Sequence, residues 1–199
     1  MTKKQVNSLD TSIESFKLLK KVTEKHWKKV EYMECCGWQI QEGTTWRNGL
    51  TELELIDFQE QLGLVFPQSL KNYFMVMNGL DKLEIDFNGD LTQKPEFGRS
   101  WYAYPESIEE IKSTITWILE GNSVPENVYG IPQFTKIFPY HAHRCLVIDA
   151  NELVLSMWGN DIVYWSQNLA KGIAGDMRIA FSSFHAMQLP QGFWYDKVR

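Results

Sequence analysis

The stretch from Leu50 to Gly79 constrains the fold more than any other part of the chain. Thr51 followed by Glu54 is a capping box, in which the threonine hydroxyl accepts the N3 amide proton and the glutamate reaches back to the cap residue. Leu55, Phe58 and Leu62 then form a buried stripe, and Gly63 ends the helix. Phe66-Pro67 opens a second helix, because the missing N–H of proline costs nothing in a first turn. Leu70, Tyr73, Phe74 and Met77 give that helix its apolar face, and Asn78-Gly79 offers the positive φ that stops it. Two short helices joined by a Gly…Pro turn follow.

Other segments divide into helical and extended signals. Ile13, Phe16, Leu19, Val22, Trp27 and Val30 recur at three- to five-residue steps, so 10–33 reads as one long amphipathic helix capped by Asp10 or Ser12. Residues 35–48, with Gly37 and Gly43 around Trp38 and Trp46, read as a loop with short extended pieces. Leu83–Phe87 alternates and predicts a half-buried strand before the Asn88-Gly89 turn. Pro105–Glu120 is another helix, with Ile108, Ile111, Ile115 and Leu119 on its face and acids in its first turns. Residues 123–130 read as a loop. Phe134–Phe138, Cys145–Asp149, Leu153–Met157 and Asp161–Trp165 are short β-rich runs at hairpin spacing, which implies a mostly antiparallel meander. Residues 168–187 close as helix, weakened by Gly172 and Gly175. With no repeat and no linker-like composition, the chain reads as one α+β domain carrying an N-terminal helical extension.

Charge is unevenly placed. The formal net charge of the 199 residues is -5. Residues 1–34 hold eight lysines against five acids, a local +3, whereas 52–120 hold thirteen acids against five bases, a local −8. An acidic middle repels phosphate backbones and steers a basic partner, so nucleic acid is disfavoured except through the basic helix at the start. No secretory or transit signal is read at the start, and no apolar run approaches the roughly 18 residues that span a bilayer. Three cysteines, Cys35, Cys36 and Cys145, make an odd count that suits a reducing cytoplasm.

Candidate chemistry is sparse. In Tyr140-His141-Ala142-His143-Arg144, residues two apart on a strand would face one side, so His141 and His143 could approach one ion with Cys145 as a third ligand. Against this, metal sites usually need three or four ligands with orienting carboxylates. Cys35 and Cys36 fit helix-end packing as well as nucleophilic chemistry. There is no phosphate loop, nucleophile elbow or dinucleotide fingerprint, and no cofactor is expected. Trp158 and Trp165 sit at the ends of a predicted hairpin, and core packing is the ordinary role of each tryptophan taken alone. Several aromatics on irregular segments beside acids also make a recognition surface. Trp101, Tyr102 and Tyr104 are the preferred anchors, with Asp81, Glu84, Asp86, Asp90, Glu106, Glu109 and Glu110 supplying charge.

The segment Leu50-Thr51-x-x-Glu54-Leu55-x-x-Phe58-x-x-x-Leu62-Gly63-x-x-Phe66-Pro67-x-x-Leu70-x-x-Tyr73-Phe74, ending in Asn78-Gly79, resembles the opening of the SUKH (Smi/Knr-type) superfamily. Ile131-Pro132, Phe138-Pro139, the Cys145–Asp149 run, the 153–165 hairpin and the helix from Asn168 extend the resemblance over 50–187. Residues 1–49 and a tail at 188–199 lie outside it. The resemblance implies an α+β domain with a mixed or antiparallel sheet, of about four to six strands, flanked by helices. It also implies a non-enzymatic binding role: an immunity protein neutralising a basic, nuclease-type toxin, or a regulatory scaffold of the kind linked to cell-wall synthesis. A cytoplasmic protein with a protein partner, and neither a nucleic-acid nor a membrane partner, is the resulting expectation.

Overall fold

A computed structural model describes residues 1–30, 39–84, 100–132 and 134–177. The architecture is α+β: a four-stranded antiparallel meander and a two-stranded antiparallel sheet, both surrounded by helices. Helices α1 (Lys3–Asn7) and α2 (Ile13–Trp27) precede strand β1 (Trp46–Asn48). The helix pair α3 (Glu52–Leu62) and α4 (Gln68–Val76) leads directly into β2 (Met77–Leu80). Then come α5 (Ile108–Gly121), the single turn α6 (Glu126–Tyr129), β3 (Lys136–His141), β4 (Arg144–Ile148), β5 (Val154–Trp158), β6 (Asp161–Ser166) and α7 (Leu169–Asp176).

The capping box forms as its residues dictate. Thr51 Oγ1 accepts from the Glu54 amide, and the Glu54 carboxylate accepts from the Thr51 amide at 2.8 Å. Gly63 ends α3 in the left-handed region at φ +63°. Phe58 on α3, Phe66 on the turn, Phe74 on α4 and Phe138 on β3 then meet with ring centroids 5.1–6.1 Å apart, mostly edge to face. That arrangement suits the aromatic quadrupole and fills the centre of the molecule.

The described residues of 1–49 share this core. Phe16, Leu19 and Trp27 are buried on the inner stripe of α2, which packs against α4 and α7. Trp46 on β1 touches Trp27, Tyr73 and Trp101 and donates its indole N–H to Thr23 at 2.8 Å. Of the helix expected over 10–33, Ile13–Trp27 form α2 with Ser12 as N-cap; the helix ends there, residues 28–30 are not helical, and 31–33 lie outside the described residues.

The helix end expected at Asn78-Gly79 is instead a strand. Met77 turns extended, and β2 pairs antiparallel with β1, Trp46 opposite Leu80. Gly79 sits at φ +70°, and a Cβ there would lie 2.6 Å from the Cβ of Ala103, so both its backbone and its surroundings call for glycine. The strand expected at 83–87 is not formed at residues 83–84, and 85–87 lie outside the described residues. Helix α5 starts at Ile108, three residues after Pro105. The loop expected at 123–130 contains the turn α6. Helix α5 packs on β3, and α7 packs on β6. The closing helix is seen as α7, and the remainder of the predicted 168–187 span lies outside the described residues.

Candidate acidic interaction site

Acidic side chains from two separate stretches, 81–84 and 106–110, gather around the β1–β2 sheet and the start of α5. Asp81, just past β2, accepts the Thr45 amide at 2.7 Å and returns its own amide to the Thr45 carbonyl. Glu84 and Glu110 both reach the hydroxyl of Ser100, Glu110 at 3.3 Å. A hydroxyl hydrogen serves only one acceptor well, so the pair concentrates negative charge around a single donor. Glu106 takes a bidentate ion pair from Arg47 at 2.8 and 2.9 Å, and that bonding holds its carboxyl below the usual glutamate range. Glu109 is largely exposed, with Lys112 at 3.0 Å one turn along the helix. Asp86 and Asp90 lie outside the described residues.

The aromatic half of the expected surface is corrected. Trp101, Tyr102 and Tyr104 are 2%, 3% and 8% exposed, so they are core residues rather than surface anchors. The cause is the path of 100–104, which runs extended beside β3: Trp101 bridges to His141, and the Tyr102 amide donates to the Tyr140 carbonyl. Trp101 packs edge to face on Trp46 and lies flat on His141 at 4.3 Å. The Tyr102 hydroxyl meets Thr114 at 2.9 Å, and burial pushes its phenol up. Asn78 clamps the backbone of Tyr104 from both sides at 2.7 and 2.8 Å, while the Tyr104 hydroxyl donates to Asp57, which raises its phenol to about 12.

The two histidines are parted by a turn. His141 ends β3, Ala142 takes φ +47°, and His143 precedes β4, so the two-residue alternation of a strand does not apply. His141 faces Trp101 and Asp176, with Nδ1 3.9 Å from the carboxylate. His143 faces Trp158 at 5.1 Å and accepts from Arg144 at 2.5 Å. Cys145 is buried, and burial pushes its thiol well above the ordinary range. Among the described residues, no group of three or more His, Cys, Asp or Glu side chains is placed to hold a metal. Cys35 and Cys36 lie outside the described residues.

Two features escaped the sequence reading. Asp176, its side chain 3% exposed at the end of α7, accepts from Tyr140 at 2.6 Å and Arg144 at 3.4 Å, and burial raises its carboxyl to about 6. The Arg144 guanidinium lies 3.6 Å from the ring centre of Trp165. A lone acid among Ala, Gly and Ile residues was the available signal. Second, exposed tryptophans do exist beside the acids, but they are Trp117 on α5 and Trp158 on β5, 40% and 45% exposed. Lys17, Lys20, Lys21, Lys25, Lys28 and Lys29, with Glu24, line an open cleft of about 1140 Å³ along α2, whose Lys20 reaches the carbonyls of Arg47 and Val76 at 3.3 Å. No helix among the described residues is long and apolar enough to cross a membrane. No protein-family model matches the chain, and no curated protein matches it significantly.

Proposed function

We propose that this protein is a non-enzymatic, cytoplasmic binding module of immunity type, whose acidic edge covers the basic site of a cognate toxin domain. The observation that carries the reading is the convergence of Asp81, Glu84, Glu106, Glu109 and Glu110, contributed by separate segments, around β1–β2 and the first turns of α5. A nuclease-type toxin needs positive charge to hold phosphates. An acidic edge complements that charge and speeds the encounter by long-range steering. The resemblance of 50–187 to the SUKH superfamily supports the same role.

The lysine-lined cleft of α2 favours a second reading, a regulatory scaffold of the Smi/Knr type that uses α2 for a different partner. Co-expression with the toxin domain encoded by the neighbouring gene separates the two. Under the immunity reading, wild type protects the host cell and reversing Glu84, Glu106, Glu109 and Glu110 to lysine abolishes protection. Under the scaffold reading, replacing the α2 lysines removes a partner while protection is irrelevant. Undiminished protection by the charge-reversed protein contradicts the acidic edge as the interface.

A further inference from the structure

The acidic edge is linked through the buried Ser100 and Ala142 to an aromatic corner. Ala142 donates its amide to the Ser100 carbonyl, Ser100 carries Glu84 and Glu110, and His143, next to Ala142, packs on Trp158. Trp158 then meets Trp117 with ring centroids 5.2 Å apart and planes at 76°. Both indoles are close to half exposed and touch each other, so they make one joined apolar patch rather than two scattered residues.

The corner is held in shape from behind. Asn122 donates to the Ile118 carbonyl at 2.7 Å and to the Gly159 carbonyl at 2.8 Å, so the end of α5 is fastened to the β5–β6 turn. His143 supports the Trp158 ring edge to face, at 82°. Preorganised aromatics of this kind lose little entropy when a partner docks.

Its rim is negative. Glu120 lies three residues beyond Trp117 on α5, hence on the same side of the helix, and is exposed. Asp161 is the register partner of Trp158 across the β5–β6 hairpin and is also exposed. Two indole faces near a right angle, rimmed by carboxylates, match a planar cation: stacked flat on one ring, it turns its N–H edge toward the other ring and the acids. An ammonium is compact and strongly hydrated, and it uses such a corner less well. The chain itself uses the same pairing, with the Arg144 guanidinium seated on Trp165.

We infer that the Trp117–Trp158 corner seats an arginine side chain of the partner protein, and that this is the anchor of the interface. The inference rests on the acidic edge being a binding surface for a basic protein; it adds which basic residue the surface selects and where.

The test uses the full chain and two probes, an acetylated, amidated Arg-Gly repeat peptide and its Lys-Gly counterpart, titrated at low salt. The arginine peptide should bind about five- to ten-fold more tightly than the lysine peptide. It should also shift the indole N–H resonances of Trp117 and Trp158, identified from W117F and W158F. W117A and W158A should bring the arginine peptide down to the affinity of the lysine peptide, leaving the latter within about two-fold of wild type. If an alanine variant loses its native spectrum, W117F and W158F decide, since each should weaken the arginine preference without removing it. Equal affinity for the two peptides, or a preference unchanged in the tryptophan variants, overturns the arginine seat and leaves the acidic edge standing. Failure of both peptides to bind overturns the seat and the acidic-edge reading together.

Discussion

The Tyr140 hydroxyl donates to the Asp176 carboxylate across 2.6 Å, tying the end of β3 to the last residue of α7. The same carboxylate accepts from Arg144 at 3.4 Å, yet burial dominates and lifts it from 3.8 to about 6. The folded protein therefore holds this proton more tightly than the unfolded chain does. The resulting stabilisation is complete below about pH 4 and is lost as pH rises through about 6. Replacing Asp176 with Asn removes the titration. D176N should gain on wild type by up to about 3 kcal/mol as pH goes from 4 to 7, read from urea unfolding across that range. A stability difference that stays flat with pH would show that Asp176 is not the buried proton-binding group.

Phe58 makes four aromatic contacts and is fully buried, whereas Leu53, five residues earlier on the opposite side of the same helix, is 78% exposed. F58A should cost about 3–5 kcal/mol because the rigid surround cannot close over the cavity. L53A should change stability by no more than about 0.5 kcal/mol. Thermal unfolding of the two variants side by side checks the location of the core.

Gly79 combines φ +70° with a neighbour that leaves no room, Ala103. G79A should destabilise by about 2 kcal/mol or more, since it adds left-handed strain to a backbone clash and loosens β2 from the 100–104 segment. Chemical denaturation measures the loss, and tolerance of alanine would mean that this segment lies farther from β2 than described.

These positions also show how far the residues alone could be read. The helix pair was legible because Thr51, Glu54, Gly63 and Pro67 each leave a local signature with a local cause. The meander was legible because turn residues separate its β-rich runs. Strands β1 and β2 were hidden: they have three and four residues, and their pairing depends on chain ends about thirty residues apart. The burial of Trp101, Tyr102 and Tyr104 was equally hidden. An extended segment beside acidic residues looks the same in sequence whether it runs over the surface or between two sheets. Trp117 carries no local signal that sets it apart within its helix, and only the approach of the β5–β6 turn makes it half of a surface pair.

Arg47 and Glu106 form a bidentate pair whose side chains are 35% and 58% exposed. Exposed pairs contribute at most about 1 kcal/mol, so R47A should leave stability nearly unchanged. It releases the Glu106 carboxylate and adds net negative charge to the acidic edge. Association with a basic peptide at low salt should therefore become faster, as stopped-flow mixing would record. Slower association would place Arg47 itself in the interface.

Residues His141 and His143 point to different partners, Trp101 and Asp176 for the first, Trp158 and Arg144 for the second. Metal analysis of the purified protein should give well under one equivalent of zinc, and a chelator should leave the melting temperature unchanged. A stoichiometric metal, lost in H141A or H143A, would contradict the separation of the two rings.

The central claim is that the acidic edge and its aromatic corner form the binding surface. Hydrogen-exchange footprinting of the full chain with the Arg-Gly repeat peptide tests it most directly. The account predicts slowed exchange at 81–84, along 106–121 and at 157–161, with α2 unchanged. Protection confined to α2, with none along α5, would contradict it.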